Sequence, residues 1–340
     1  MKLNFRRGSA FASKKARQYL ETINPTDIKN ITVIRHAAIG DFMNIRPFLI
    51  ELKEYFPNTL ITLSVESNAT YGIPHDLIDN IHILDKTKDG KKTGFLTRLK
   101  QIQELPPQDI IFDLTDSTLT LFLIIFSKAK LKIGYPYRAI KRFFYDITTL
   151  RSDFVLEAHS VLHMLNILGA NHQIPLNYGF QNKYTKNNLK QIVYFAGASV
   201  KYKCWEEEKF KNLIDKLSDT YPDYKHIILQ GIKEDEKFLE IYEPLEKKGN
   251  VLLQEVLELD DAMQLLSNSR CLVSNDTGIR NMGIATNTPT IGIFFAIQPF
   301  RYWPRDNNIH QCVFNNEHKS PTVDEVYNVT SKAIDTLYTK

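Results

Sequence analysis

The sequence contains little cysteine, glycine or proline, and it has no long apolar run. Its 340 residues include three cysteines, 14 glycines and 14 prolines, and 43% of them are hydrophobic. Three scattered cysteines build neither a disulfide framework nor a zinc site, which favours a reducing compartment and predicts a cytoplasmic protein. The low glycine and proline content excludes collagen-like and low-complexity classes. No stretch reaches the roughly 18 consecutive apolar residues of a membrane-spanning helix.

The excess of positive charge is also small, because the sequence contains 43 basic and 39 acidic residues. This balance predicts no nucleic-acid partner. Residues 1–30 nevertheless hold seven basic and two acidic residues, and they lack the continuous apolar core of a signal peptide. Two interpretations of this basic N-terminal extension remain open. It is either an amphipathic helix on an anionic membrane surface or a solvated leader.

Short apolar segments alternate with longer amphipathic ones along the rest of the chain. The predicted strands are Ile31–His36, Leu60–Val65, Ile81–Leu84, Gln108–Leu114, Lys132–Gly134, Gln191–Phe195, His226–Gln230, Asn250–Leu253, Cys271–Ser274 and Thr290–Phe295. The predicted helices are Asn44–Tyr55, Leu119–Lys128 (as a buried helix), Ser152–Leu168, Glu206–Leu217, Glu234–Lys247, Leu257–Asn268 and one that begins at Gly278. Such alternation is typical of parallel sheets covered by helices on both faces.

One polar segment without periodicity, residues 171–190, interrupts this alternation and is interpreted as an interdomain linker. The sequence therefore predicts an α/β protein of two doubly wound domains facing a cleft, residues 31–170 and 191–340. The C-terminal helix is assigned to the second domain, with packing against the first left open. Ligands of such sheets bind at the carboxyl ends of the strands, so the chemistry is sought in the loops there.

The first strand runs directly into Ala37-Ala38-Ile39-Gly40-Asp41 and then a helix. Gly40 permits a tight turn, and the helix macrodipole favours the ionised carboxylate of Asp41. A carboxylate in that position can accept a proton from a hydroxyl group. Alternatively, Asp41 only caps its helix. The glycine fingerprint G-x-G-x-x-G of dinucleotide-binding proteins is absent.

Two turns in the second half are suited to anions. In the loop after Phe195, Ser199, Lys201 and Lys203 can donate to phosphate. The turn Ser274–Gly278 joins a strand to a helix whose first backbone N–H groups form a potential anion site. The alternatives are a solvated basic loop and ordinary helix capping.

Three of these segments, Gly40–Pro57, Phe195–Leu217 and Val273–Phe294, resemble the signature blocks of glycosyltransferase family 9 in order and spacing. This is the ADP-heptose:lipopolysaccharide heptosyltransferase family. The block FDLTDS at Phe112–Ser117 fits as well, and the resemblance covers approximately residues 31–310.

The resemblance implies a GT-B fold and an inverting, metal-independent glycosyltransferase without a cofactor; consistently, no D-x-D triplet occurs. It places the catalytic base on Asp41. The donor-binding residues that it implies or that the loops suggest are Ser199, Lys203 for the diphosphate, Asp235 for the nucleoside, Asp276 to orient the turn, Thr277 and Gly278 to cradle phosphate, and Asn281. The match of Asp235, four positions after Gly231, is loose because glutamates flank it.

Two positions depart from the family pattern. Asn281 stands where the family usually has histidine, and Arg280 stands where a small or apolar residue is usual. Asn281 can donate a hydrogen bond but carries no titrating proton, whereas Arg280 is expected either to supply positive charge or to be exposed. The predicted function is transfer of heptose from ADP-heptose to a lipopolysaccharide or lipooligosaccharide inner-core acceptor. The alternatives are altered donor specificity, a non-catalytic sugar-nucleotide or glycan-binding role and, less well matched, a nucleotide-sugar epimerase.

The acceptor side is suggested by charge. Residues 86–142 contain twelve basic and five acidic residues. Such a field attracts a phosphorylated, lipid-linked glycan at the cytoplasmic surface of the inner membrane. Arg138 and Arg142 are therefore predicted to bind the acceptor, unless the stretch is a solvated lysine-rich loop.

Overall fold

The computed structural model describes residues 10–336, apart from residues 89, 90, 137, 182, 185–189, 307 and 316. The chain divides into two compact units, which meet in sequence between Asn177 and Tyr178. This boundary lies inside the predicted linker. Part of the basic extension, including Phe5, Arg6 and Arg7, lies outside the described residues.

The first unit is built on a seven-stranded sheet in the order β1-β9-β8-β7-β2-β3-β4, with a separate hairpin β5-β6. Only β1 runs antiparallel to its neighbour in this sheet. The strands are β1 Phe11–Ala12, β2 Asn30–Ile34, β3 Leu60–Val65, β4 Asn80–Ile83, β5 Thr87–Lys88, β6 Lys91–Lys92, β7 Gln108–Asp113, β8 Ala129–Gly134 and β9 Ile147–Thr148.

The helices of this unit are α1 Lys14–Thr22, α2 Ile39–Tyr55, α3 Phe95–Gln103, α4 Thr118–Phe126 and α5 Glu157–Asn166, with short 3-10 helices at Pro25–Asp27 and Ala139–Phe144. Helix α2 packs against α5. The two main apolar clusters are centred on Phe48, Phe112 and Leu162 and on Ile111 and Leu123.

The second unit contains a six-stranded, fully parallel sheet in the order β12-β11-β10-β13-β14-β15. Its strands are β10 Gln191–Phe195, β11 Lys225–Leu229, β12 Val251–Gln254, β13 Cys271–Asn275, β14 Thr290–Ile293 and β15 His310–Val313. Its helices are α6 Glu207–Thr220, α7 Leu239–Tyr242, α8 Leu259–Ser267, α9 Gly278–Ala285 and α10 Val323–Thr336, with 3-10 helices at Lys201–Lys203, Glu234–Glu236 and Glu243–Lys248. The C-terminal helix α10 packs on α6 and on β13–β15 of its own unit.

Both sheets have the 3-2-1-4-5-6 strand order of doubly wound nucleotide-binding folds, counted from β2 and from β10; β1 extends the first at its edge. The chain reverses direction across the sheet between β2 and β7 and again between β10 and β13. Ligands of such folds bind outside the carboxyl ends of the strands at this switch point. The loops after these four strands are therefore the places where the topology predicts a site.

Several predictions of local structure require correction. Helix α4 is buried on one face only, since Ile125 and Phe126 are exposed. The predicted helix Glu234–Lys247 is broken, because Phe238 adopts a left-handed conformation and Pro244 cannot continue a helix. Strands β1, β5, β6, β9 and β15 and helix α3 were not predicted, whereas α1 lies within the extension for which an amphipathic helix was one of the two interpretations.

The part of the basic extension that is described belongs to the first unit. Strand β1 pairs with β9, and α1 buries Ala16 while Tyr19 and Leu20 pack against the apolar core. No helix among the described residues has both the length and the apolarity needed to cross a membrane.

Candidate functional site

Asp41 lies in the first turn of α2, two residues after the start of the helix. The cap residue of this helix is Ala38, and no side chain caps it. The carboxylate of Asp41 instead forms an ion pair through Oδ1 with the guanidinium of Arg35, while 31% of its side chain remains exposed. Its Oδ2 makes no hydrogen bond within the described residues. Asp41 is therefore not a helix cap, and it presents one free carboxylate oxygen at the end of β2.

Arg35 is positioned by a buried network that the sequence did not reveal. Its Nη1 donates to Glu157 Oε1 at 3.1 Å, to the hydroxyl of Tyr135 at 3.3 Å and to the carbonyl of Leu114. Glu157 is fully buried and also pairs with Arg151, whose guanidinium lies 4.6 Å from the centre of the Tyr135 ring. Buried charges require such partners. This network determines where Arg35 lies and thereby where Asp41 is held.

The FDLTDS block forms the turn after β7, next to β2. Asp113 is completely buried and accepts hydrogen bonds from the backbone of Thr115 and Asp116 at 3.0 Å, from Thr120 Oγ1 at 2.9 Å and from the Tyr145 hydroxyl at 2.7 Å. Burial raises the pKa of Asp113 despite these bonds. The block therefore stabilises the turn that also supplies the Leu114 carbonyl to Arg35.

His36 borders Asp41's turn but is a structural residue. Its Nε2 lies 3.3 Å from Ser64 Oγ, which lies 3.0 Å from His82 Nδ1. Burial lowers the pKa of His36 to about 4, so the ring is neutral at pH 7.

Of the predicted acceptor residues, Arg138 is the cap residue of the 3-10 helix Ala139–Phe144 of the first unit, and Arg142 lies within this helix. Arg138 is exposed, and the guanidinium of Arg142 lies 5.0 Å from the centre of the Phe143 ring. Between them, Lys141 forms an ion pair with Asp116 of the FDLTDS turn at 2.6 Å. The structure thus joins this basic segment to the turn after β7.

In the second unit, the turns after β10 and β13 are tied together. Lys203 Nζ donates to Asp276 Oδ2 at 2.6 Å. Asn275 donates to the carbonyl of Ala196 at 2.6 Å and accepts from the backbone of Trp205 at 3.0 Å. The predicted Lys203 and Asp276 are therefore neighbours. Asn275, which joins the two turns through its hydrogen bonds, was not predicted from the sequence.

The start of α9 presents polar groups without protein partners. Thr277 is its cap residue, yet its side chain does not bond the helix backbone. Within the described residues, the side chains of Thr277, Asn281 and the exposed Ser199 make no hydrogen bond. The first-turn N–H groups that follow Gly278 also lack helical partners. Ordinary capping does not account for this turn, which can hold an anion.

Glu236, rather than Asp235, is the acidic residue at the ends of β10 and β11. Asp235 is exposed, whereas Glu236 is 9% exposed. A Cβ placed on Gly197 would lie 2.8 Å from Glu236 Oε1, and one on Gly231 would overlap Glu236 Oε2. Lys233 donates to Glu236 Oε1 at 3.2 Å. Asp235, predicted to bind the nucleoside, is therefore exposed next to the enclosed Glu236.

Arg280 is buried, contrary to the expectation that it is exposed unless it supplies positive charge to the site. Its Nη1 donates to the carbonyl of Tyr302 at 2.6 Å, its Nη2 lies 3.4 Å from Cys312 Sγ, and its guanidinium lies 5.1 Å from the centre of the Phe294 ring. Burial is the largest of the effects that lower the pKa of the nearby His310 to about 3. Arg280 therefore anchors the loop that precedes β15.

No group of three or more His, Cys, Asp or Glu side chains suited to a metal ion occurs in the described part of the chain.

Comparison with known proteins agrees with this arrangement. Residues 98–332 match the family described as glycosyltransferase family 9 (heptosyltransferase). The chain is 23% identical to lipopolysaccharide heptosyltransferase 3 of Escherichia coli in an alignment of length 314, which covers 84% of this chain and 89% of that protein.

Among solved structures, the E. coli heptosyltransferase WaaC with ADP-2-deoxy-2-fluoro heptose superposes with a TM-score of 0.72 at 17% identity, covering 89% of this chain and 99% of WaaC. A UDP-N-acetylglucosamine 2-epimerase homologue from Listeria monocytogenes, itself described as putative, reaches a TM-score of only 0.57 at 11% identity, covering 91% of this chain and 88% of that one. The expected α/β architecture of two doubly wound units is confirmed as the GT-B fold.

Proposed function

Because the chain belongs to glycosyltransferase family 9, we propose that this enzyme transfers heptose from ADP-heptose to an inner-core sugar of lipopolysaccharide or lipooligosaccharide. Two similar E. coli proteins support the donor and the acceptor class: one is a lipopolysaccharide heptosyltransferase, and the other is a heptosyltransferase whose structure holds ADP-2-deoxy-2-fluoro heptose. The proposed setting is the cytoplasmic face of the inner membrane, which the low cysteine content supports.

The observation that carries the proposal is the state of Asp41. An ion pair with Arg35 holds Oδ1, and Oδ2 is left free at the switch point of the first sheet. We propose that Oδ2 accepts the proton of the acceptor hydroxyl. The oxygen of the acceptor hydroxyl then forms a bond to the anomeric carbon from the face opposite the diphosphate. The bond between the anomeric carbon and the diphosphate breaks, and the configuration at that carbon is inverted.

The second unit is proposed to hold the donor. Lys203, the Thr277 hydroxyl and the first-turn N–H groups of α9 would stabilise the charge that develops on the leaving diphosphate. Asp276 keeps Lys203 in place at 2.6 Å. Glu236 would accept hydrogen bonds from the nucleoside hydroxyls, and Asn281 and Ser199 would donate to the phosphates or the sugar. These groups offset the diphosphate charge without a metal, so activity is expected to persist with a chelator present.

The catalytic test is Asp41→Asn. Removal of the base should lower the rate of ADP release with acceptor present by about 10²–10⁴-fold, with the Michaelis constant for donor little changed. Glu54→Gln is the matched control, because it removes an exposed carboxylate from the same helix. Full activity of a correctly folded Asp41→Asn enzyme would refute the assignment. Donor binding without transfer, across a panel of nucleotide sugars, would instead support the non-catalytic alternative, and transfer of another sugar would show altered specificity.

The acceptor test uses charge. The combined change Arg138→Glu and Arg142→Glu should raise the Michaelis constant for the acceptor at low salt and flatten its salt dependence, because it removes attraction for a phosphorylated glycan. The Michaelis constant for donor should stay the same. Turnover by the unmodified enzyme that does not depend on salt would contradict an electrostatic role for this segment.

A further inference from the structure

The first unit exposes apolar side chains on three neighbouring elements, namely α3, α4 and the 3-10 helix Ala139–Phe144. Soluble proteins normally expose such side chains singly. The exposed apolar side chains are Phe95 (56% exposed), Leu96 (72%), Ile125 (40%), Phe126 (42%), Ile140 (66%), Phe143 (66%) and Phe144 (43%). We call this set, with the basic residues described below, the α3–α4 surface.

Contacts join these elements. The ring of Phe95 lies 5.3 Å from that of Phe122 and 5.9 Å from that of Phe126, measured between ring centres. Helix α4 also contacts the 3-10 helix. The solvent-facing residues of α4 form one stripe, because its opposite face, with Leu123 and Ile124, is buried. The α3–α4 surface is thus supported by the fold rather than formed by a loose loop.

Basic residues predominate around these side chains, with the exposed Glu104 directly after α3. The stretches 91–103, 118–132 and 138–144 contain ten basic residues and no acidic residue. Lys130 and Lys141 form ion pairs with Asp109 and Asp116. Lys132 and Arg98 donate to the carbonyls of Ile124 and Lys86. Lys91, Lys92, Lys100, Lys128 and Arg138 are exposed. Exposed aromatic and aliphatic side chains among cations suit the boundary between anionic headgroups and acyl chains.

We propose that the α3–α4 surface docks on the surface of an anionic lipid bilayer. The apolar side chains enter the headgroup region, and the lysines and arginines lie against lipid phosphates. A second protein chain is a poorer match, because interfaces between copies bring these ten like charges together. The docking does not depend on which sugar is transferred, and it would bring the enzyme to the membrane that carries a lipid-linked acceptor.

Binding to vesicles tests the proposal without donor or acceptor, so its outcome is separate from that of the proposed reaction. The full chain is sedimented with vesicles of phosphatidylglycerol and phosphatidylcholine, and with vesicles of phosphatidylcholine alone. Lys91→Gln with Lys92→Gln should weaken partitioning to anionic vesicles by about 25-fold, at about fivefold per lysine near the surface. Leu96→Ser with Ile140→Ser should weaken it by about tenfold or more, because less apolar area enters the membrane.

The controls are matched in exposure and chemistry. Lys225→Gln with Lys247→Gln removes two exposed lysines of the second unit, and Leu60→Ser removes a leucine that is 53% exposed at the start of β3. Both should bind as the unchanged chain does, and far-UV circular dichroism should show all variants folded. Equal binding of all variants, or equal binding to neutral vesicles, overturns the proposal. Dimerisation in vesicle-free solution that only the α3–α4 variants abolish would assign the surface to a second copy instead.

Discussion

Replacement of Glu157 by glutamine tests the buried network that positions Asp41. Glu157 is fully buried and pairs with both Arg35 and Arg151. With Asp41, the four side chains form two positive and two negative charges. Glutamine keeps the shape and one acceptor oxygen but removes a negative charge, so the two arginines are left with one carboxylate and an amide N–H₂ group directed at a guanidinium.

The magnitude follows from the geometry. At an effective dielectric constant of about 20, an opposite-charge pair about 4 Å apart is worth about 4 kcal/mol. Glu157 takes part in two such pairs, and its removal recovers several kcal/mol of desolvation. The net cost should be about 3–5 kcal/mol in the free energy of unfolding of the first unit. Because Arg35 would lose one of the partners that position it, kcat should also fall while the Michaelis constant for donor changes little.

Hydrogen exchange measured on peptides of β2 and α5 is the suitable assay, because both tryptophans, Trp205 and Trp303, lie in the second unit. Glu54→Gln, an exposed change in the same unit, should cost less than about 0.5 kcal/mol. Combining Glu157→Gln with Arg151→Met restores the charge balance and should recover about 2 kcal/mol or more. A Glu157→Gln protein whose exchange and kcat both match the unchanged enzyme would show that the network neither stabilises the unit nor positions Asp41.

Two further predictions concern the second unit. Gly231→Ala should destabilise it by about 1–3 kcal/mol and raise the Michaelis constant for donor, since the added Cβ displaces Glu236. The control Gly94→Ala, in the first unit and with open space around the added Cβ, should change the free energy of unfolding by less than about 0.5 kcal/mol. An unchanged Michaelis constant for donor in Gly231→Ala would count against Glu236. Burial lowers the pKa of His226 to about 4 from its ordinary 6.5, so its stabilising effect is present above pH 6.5 and is lost as pH falls toward 4. In urea unfolding followed by tryptophan fluorescence, His226→Gln should therefore lose about 2 kcal/mol less than the unchanged protein between pH 7 and pH 5, and identical losses would disprove this assignment.

Alternation of apolar and amphipathic segments was sufficient to predict two doubly wound units and a boundary within residues 171–190. Buried parallel strands are continuous apolar runs, and this signal is local. The same reasoning missed β15, because the half-polar segment His310–Val313 carries no such run. It also extended one helix through Phe238, where only the folded chain sets a left-handed conformation.

The candidate site shows the same division. Asp41, Lys203, Asp276 and Thr277 could be placed from the sequence, because each follows a recognisable strand and the topology collects strand ends at one edge of a sheet. The residues that position Asp41 could not be predicted in this way. Arg35 and Glu157 are 122 residues apart, and no period in the sequence relates them.

The sequence by itself determined the class of the fold, the family resemblance and the loops that carry the chemistry, since these depend on local composition and spacing. Only the tertiary structure decided that Glu236 rather than Asp235 is enclosed by Gly197 and Gly231, because a shift of one position in a 3-10 turn redirects a side chain by about 120°. It also decided that Arg280 is buried and that one face of α4 is exposed. Burial depends on which surfaces the whole chain brings together, and the neighbours of a residue in sequence do not specify them.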